Sequence, residues 1–186
     1  MIGGNIVSMA SIRYLSTLVC ASCLASGILA AADDANPLMA SSKAFYSQIK
    51  GTILRSADKM PEENFSFKPS PDVRTYGQVL AHIADAQYTI CGIAATGKPA
   101  MKTNEKAATT KAEIVAALKE AFAFCDAQYA KMTDADAVGS VDFFGGKRTK
   151  LSILDFNIAH AFEHYGNLVT YMRIKGIVPP SSERSR

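Results

Sequence analysis

Histidine is scarce in this 186-residue chain: there are three, His82, His160 and His164. Neither a phosphate-cradling glycine loop nor a serine-histidine-acid spacing is visible, which removes P-loop nucleotide chemistry and triad hydrolysis from consideration. No repeat of fixed period appears, so the chain is not a solenoid. An excess of one charge is missing too. The formal net charge is +3, and the lysines are scattered among acids instead of forming a basic stripe, which sets nucleic acid aside as a partner. With 48% hydrophobic and 20% charged residues, the composition is that of one globular domain with its own core.

The longest uncharged apolar run is Tyr14 to Leu29, preceded by Arg13 and followed by Ala30-Ala31-Ala32 before Asp33-Asp34. This order reads as a secretory signal peptide over residues 1–32, cleaved after Ala32, with Met9 an alternative start and an uncleaved anchor the competing reading. Cys20 and Cys23 lie in this run without the leucine three positions earlier that a lipid-attachment site shows. The mature chain is expected outside the cytoplasm, periplasmic or secreted, with no stable membrane span. Cys91 and Cys125 then remain in a disulfide-permissive compartment. Spacing alone favours their burial as two small hydrophobes over a bridge.

Residues 33–180 read as one all-α domain, a four-helix bundle. The first helix opens at Asn36-Pro37 and runs to about Ala57; Pro61, Pro69 and Pro71 hold an extended connection after it. Thr75 to Gln78 and Thr110 to Glu113 are capping boxes that open the second and third helices, and Gly97-Lys-Pro99 closes the second. A short hairpin is expected over Val141 to Thr149, and a fourth helix from Leu151 to Lys175 stops at Gly176. Residues 181–186 read as a disordered tail.

The histidines carry the chemistry. At about 100° per residue, His160 and His164 project from one helix face, together with Ile153, Phe156, Asn167, Leu168, Tyr171 and Ile174. His82 shares its face with Val79, Ala86, Thr89, Ile90 and Ile93. Three inward imidazoles on two helices match the protein half of a site in which three nitrogens bind a divalent ion and a position stays open. A set of hydrogen-bonded core histidines is the alternative. Asp85 and Glu163 are candidates for a fourth ligand or for the acceptor of an imidazole N–H, or else solvated edge carboxylates. Thr89, Asn167 and Tyr171 are candidates for a substrate pocket, and Gln78 is expected to be occupied by its cap. His160-Ala-Phe-Glu163-His164 is not the zinc-protease H-E-x-x-H, because its Glu precedes the second His.

The runs Phe65-Ser-Phe-Lys-Pro69, Arg74-Thr-Tyr-Gly77, Ala81-His82-Ile-Ala-Asp85, His160-Ala-Phe-Glu-His164-Tyr-Gly-Asn167 and Tyr171 to Pro180 together resemble the DinB-like (YfiT-like) superfamily over about Pro37 to Pro180. The resemblance implies a four-helix bundle, often dimeric, with a divalent metal on His82, His160 and His164. Zinc and nickel are the leading identities, although imidazole also suits copper and iron. Asn167 departs from the Gln of many relatives. Family activities include thiol-dependent S-transfer and isomerisation, and other members are assigned as hydrolases from the metal site; because export removes the chain from cytoplasmic thiols, the expected function is a metal-dependent hydrolase of a small molecule. An S-transferase and a non-catalytic metal- or ligand-binding envelope protein are the alternatives.

Overall fold

The computed structural model describes Met1 and residues 35–183, so the signal-peptide reading falls almost wholly outside the described residues. The chain divides into two units, Met1–Pro37 and Leu38–Arg186, and the fold described is that of the second. Its four long helices are α1 (Pro37–Lys59), α2 (Tyr76–Thr96), α4 (Lys111–Lys131) and α6 (Lys150–Ile174). Between them lie two single-turn helices, α3 (Asn104–Ala107) and α5 (Asp134–Ala137), and a hairpin of β1 (Ser140–Phe143) and β2 (Gly146–Thr149).

Local chemistry accounts for the boundaries. Thr75 and Thr110 each accept from the backbone three residues on, from Gln78 and Glu113, whose side chains return to the cap backbone. Gly97 closes α2 in the left-handed region, at φ 76°. The first N–H groups of α1 find a distant partner: Leu38 and Met39 donate to Asp134 of α5 at 3.0 and 2.9 Å. The hairpin pairs Ser140 with Thr149 through Phe143 with Gly146, and its turn has positive φ at both Phe144 (44°) and Gly145 (80°), as a two-residue hairpin twist requires.

Met39, Ser42, Tyr46, Ile49 and Ile53 on α1 follow the three-four spacing of a bundle seam and are buried. Tyr46 stacks on Tyr129 at 4.4 Å and donates to the carbonyl of Phe122 at 3.0 Å, tying α1 to α4. Tyr76 at the start of α2 donates to the carbonyl of Ser56 at 2.9 Å. Burial pushes the hydroxyls of Tyr46 and Tyr76 above the ordinary tyrosine range, so both stay neutral donors. Between α2 and α6 the amide of Asn157 donates to Gln87 Oε1 at 2.8 Å, and both residues are fully buried.

Three expectations need correction. Cys91 and Cys125 are not separate hydrophobes: they form a disulfide between α2 and α4, with Cα atoms 5.5 Å apart, because the two helices pack face to face there. Within the expected disordered tail, Ser181 to Glu183 are held: Ser181 exchanges hydrogen bonds with the Tyr165 hydroxyl at 2.8 and 3.0 Å, and Glu183 pairs with Lys59 at 2.7 Å. Residues 184–186 lie outside the described residues. The connection after α1 is not uniformly extended, since Glu62–Asn64 make a 3-10 turn. Among the described residues no helix is long and apolar enough to cross a membrane.

One close approach matters for the site. A Cβ at Gly92 would stand 2.7 Å from the backbone nitrogen of Ala100 and 3.0 Å from the carbonyl oxygen of Lys98. The segment leading to α3 therefore rests directly on the α2 backbone.

Candidate metal centre

His82 on α2 meets His160 and His164 on α6, with ring centroids 5.3, 4.7 and 4.4 Å apart around the three pairs. One ligand atom from each ring can be chosen so that all lie within 4.8 Å of one another. Two nitrogens bound to one ion at about 2.0–2.1 Å stand about 3.4 Å apart in a tetrahedral site, so a shared ion asks the rings to close by up to about 1.4 Å. The Nε2 atoms of His160 and His164 are 3.0 Å apart. At that distance either one ring donates its proton to the other or a cation lies between the two lone pairs, and three neutral imidazole nitrogens are a donor set that a divalent ion accepts.

The two α6 imidazoles are held neutral, as metal ligands must be. Burial, then the neighbouring His164, His82 and Arg74, pushes His160 down to about 4. Burial also lowers His164, helped by His82 and Arg74 and opposed by Glu163 and Glu105. Their Nδ1 atoms are buried without a protein partner. The site lies nearer the rim of the bundle than its helical phase predicts: His164 is buried, whereas His82 and His160 are half-buried.

His82 has a different environment. Its Nδ1 is 3.3 Å from Glu105 Oε2. The other carboxylate oxygen, Oε1, accepts from Arg74 Nε at 2.8 Å. Partial burial works to raise the Glu105 pKa, but the hydrogen bond and charge of Arg74, with His82 beside it, hold it below the ordinary carboxylate value. Sequence reasoning missed both residues. Arg74 stands in one of the family-like runs, whereas Glu105 carries no local signal at all.

The two carboxylates singled out from the sequence sit elsewhere. Asp85 Oδ1 accepts from the backbone and side-chain nitrogens of Asn104 at 2.8 and 2.9 Å, and Oδ2 accepts from Glu105 N at 3.0 Å. It is spent on the start of α3. Glu163 is exposed. Of the pocket candidates, Asn167 and Tyr171 line a cleft of about 550 Å³ beside the histidines, together with Arg74, Gln78, Glu105 and His164. The Tyr171 hydroxyl already donates to the carbonyl of Arg74 at 2.8 Å, so this residue offers the cleft a wall more than a free donor. Gln78 makes its cap, accepting from Thr75 N at 2.9 Å. Thr89 is not among the cleft residues. It is two turns beyond His82 on α2, whereas the cleft opens at the Gln78 end of that helix.

The chain is an all-α bundle in which three histidines converge from the second and fourth long helices. The model of the DinB superfamily matches residues 47–168, and the chain belongs to that family. Among solved structures, a DinB-like protein from Bacillus cereus is 24% identical with a TM-score of 0.65, over 75% of this chain and 93% of that one. A DinB-like protein from Bacillus subtilis, yjoa, is 19% identical with a TM-score of 0.63, over 81% of this chain and all of the other. A mycothiol-dependent maleylpyruvate isomerase is 14% identical with a TM-score of 0.57, over 72% and 65% of the two chains. A search of curated proteins finds no match.

Proposed function

We propose that this chain is an exported metal-dependent enzyme, a hydrolase of a small polar molecule, with zinc or nickel held by His82, His160 and His164. The observation that carries the reading is the convergence of the three imidazoles on one point at the edge of the 550 Å³ cleft. Bound there, a divalent ion with three neutral ligands supplies Lewis acidity and lowers the pKa of a coordinated water. The chain's own residues do the rest. Arg74 and Asn167 line the cleft with donor groups, and Glu105 is the ionised carboxylate at the site, taking the place that Asp85 and Glu163 were expected to fill. Export is supported by the apolar run from Tyr14 to Leu29 and by the Cys91–Cys125 bridge, which persists in oxidising compartments.

The test is metal analysis of protein purified without added metal, with His82→Ala and His160→Ala alongside. One divalent ion per chain in the parent and loss in both variants is the expected result. Full retention in both variants overturns the shared site. A thiol-dependent S-transferase, the second reading, uses the same histidines, and it gains support from the isomerase of similar fold. Turnover of ester and amide panels with and without a low-molecular-weight thiol separates the two.

A further inference from the structure

We infer that Glu105 is the positioning residue of the metal site, fixing the tautomer and ring angle of His82, and that Asp85 sets it in place through α3. The inference rests on the metal reading above. A ligating imidazole has to present one nitrogen as a lone pair and place its proton on the other, and the partner of that second nitrogen decides which is which. For His82 that partner is Glu105 Oε2, 3.3 Å from Nδ1. With the proton at Nδ1, Nε2 is left to face the ion.

The carboxylate is itself located by two contacts. Oε1 is fixed by Arg74 Nε at 2.8 Å, and the residue's backbone nitrogen is fixed by Asp85 Oδ2 at 3.0 Å. Asp85 also takes both nitrogens of Asn104, so one side chain anchors the two residues that begin α3. Asp85 lies three residues after His82 on α2, one turn along. The anchor and the ligand therefore travel on the same rigid rod, and the brace keeps its register even if α2 shifts against α6. The α6 ligands have no such arrangement: the Nδ1 atoms of His160 and His164 are buried with no protein acceptor. Their orientation comes from helix phase and packing alone, which leaves His82 as the ligand that needs an external hold.

The experiment uses the full chain, with zinc(II) affinity measured by chelator competition and the cobalt(II) visible spectrum recorded for the same variants. Glu105→Ala is expected to weaken zinc by about 10- to 100-fold and to change the cobalt spectrum, as loss of an outer carboxylate does at other histidine sites. Glu105→Asp restores part of the affinity. Asp85→Asn, which keeps shape but loses charge and one acceptor, falls between parent and Glu105→Ala. Glu120→Gln, an exposed carboxylate on α4, leaves both readouts unchanged, and thermal unfolding of the metal-free variants stays close to the parent. Wild-type affinity and spectrum in Glu105→Ala and Asp85→Asn, with metal lost in His82→Ala, overturns the positioning role and leaves the metal site standing. Wild-type metal binding in His82→Ala as well overturns both.

Discussion

The interface between α2 and α6 has two polar stations a turn apart, and they are closed in different ways. At one, Asn157 donates to Gln87 at 2.8 Å and lies 3.6 and 3.7 Å from the sulfurs of Cys91 and Cys125, all in full burial. At the other, three residues further along α6, His160 and His164 face each other and His82. Both stations leave atoms unpartnered: Gln87 Nε2 and Asn157 Oδ1 at the first, two Nδ1 atoms at the second. The first compensates with a covalent link to α4. The second has no cross-link and opens on a cleft. The contrast teaches that one helix pair can carry a sealed polar station tied down covalently and, a turn away, an open one whose unpartnered nitrogens nothing in the chain offsets.

The largest way to break the comparison is to remove the link. Cys91→Ala with Cys125→Ala opens a loop of 34 residues' separation, and the loss of chain constraint corresponds to about 3–4 kcal/mol of unfolding free energy, measured by urea titration. Metal affinity should change little, because the bridge ties α2 to α4 while the ligands lie on α2 and α6. Next in size is the opposite manipulation at the open station. His164→Leu removes a buried ring whose Nδ1 lacks a partner but also takes the neighbour from His160 Nε2, so the metal-free protein is expected to change by less than about 1 kcal/mol while metal binding is abolished. Denaturant titration in chelator, with and without the substitution, reads both.

A third way is pH dependence. His160 titrates near 4 in the folded chain against 6.5 when unfolded, so between those values the unfolded chain binds more protons. Stability of the metal-free protein should be complete above pH 6.5 and decline as pH falls toward 4. His160→Leu should flatten that slope, measured by midpoint shifts across the window. The sealed station has no titrating group in this range, and the disulfide variant should keep the slope unchanged.

What could be read from the sequence divides along the same physical line. Helix starts at Thr75 and Thr110, the hairpin and the stop at Gly176 are legible because each depends on residues within a few positions. The histidine pair on α6 is legible for the same reason, since one turn of helix fixes it. His82 could be placed on a face, but its brace could not: Glu105 is 23 residues away and arrives only because Asp85 holds the start of α3. Periodicity credited Asp85 with a place beside an imidazole, when its carboxylate serves backbone nitrogens one step further out. The disulfide was undecidable from spacing because it depends on how closely α2 and α4 pack. The turns at 104–107 and 134–137 are too short for a hydrophobic period to register, even though Thr133 and Asp136 form a capping box.

Gly92 gives the arrangement a mechanical reading. The backbone of Lys98 to Ala100 lies so close to α2 that a methyl group there meets Ala100 N at 2.7 Å, and the loop would have to lift. From Ala100 only three residues separate that contact from Asn104, the first residue of α3. A lever is therefore built into the chain, with its fulcrum on a bare patch of helix and its far end carrying a carboxylate. Thickening the fulcrum by one carbon would be felt ten residues before it along the same helix, at the ring of His82, without any side chain near the histidines having changed.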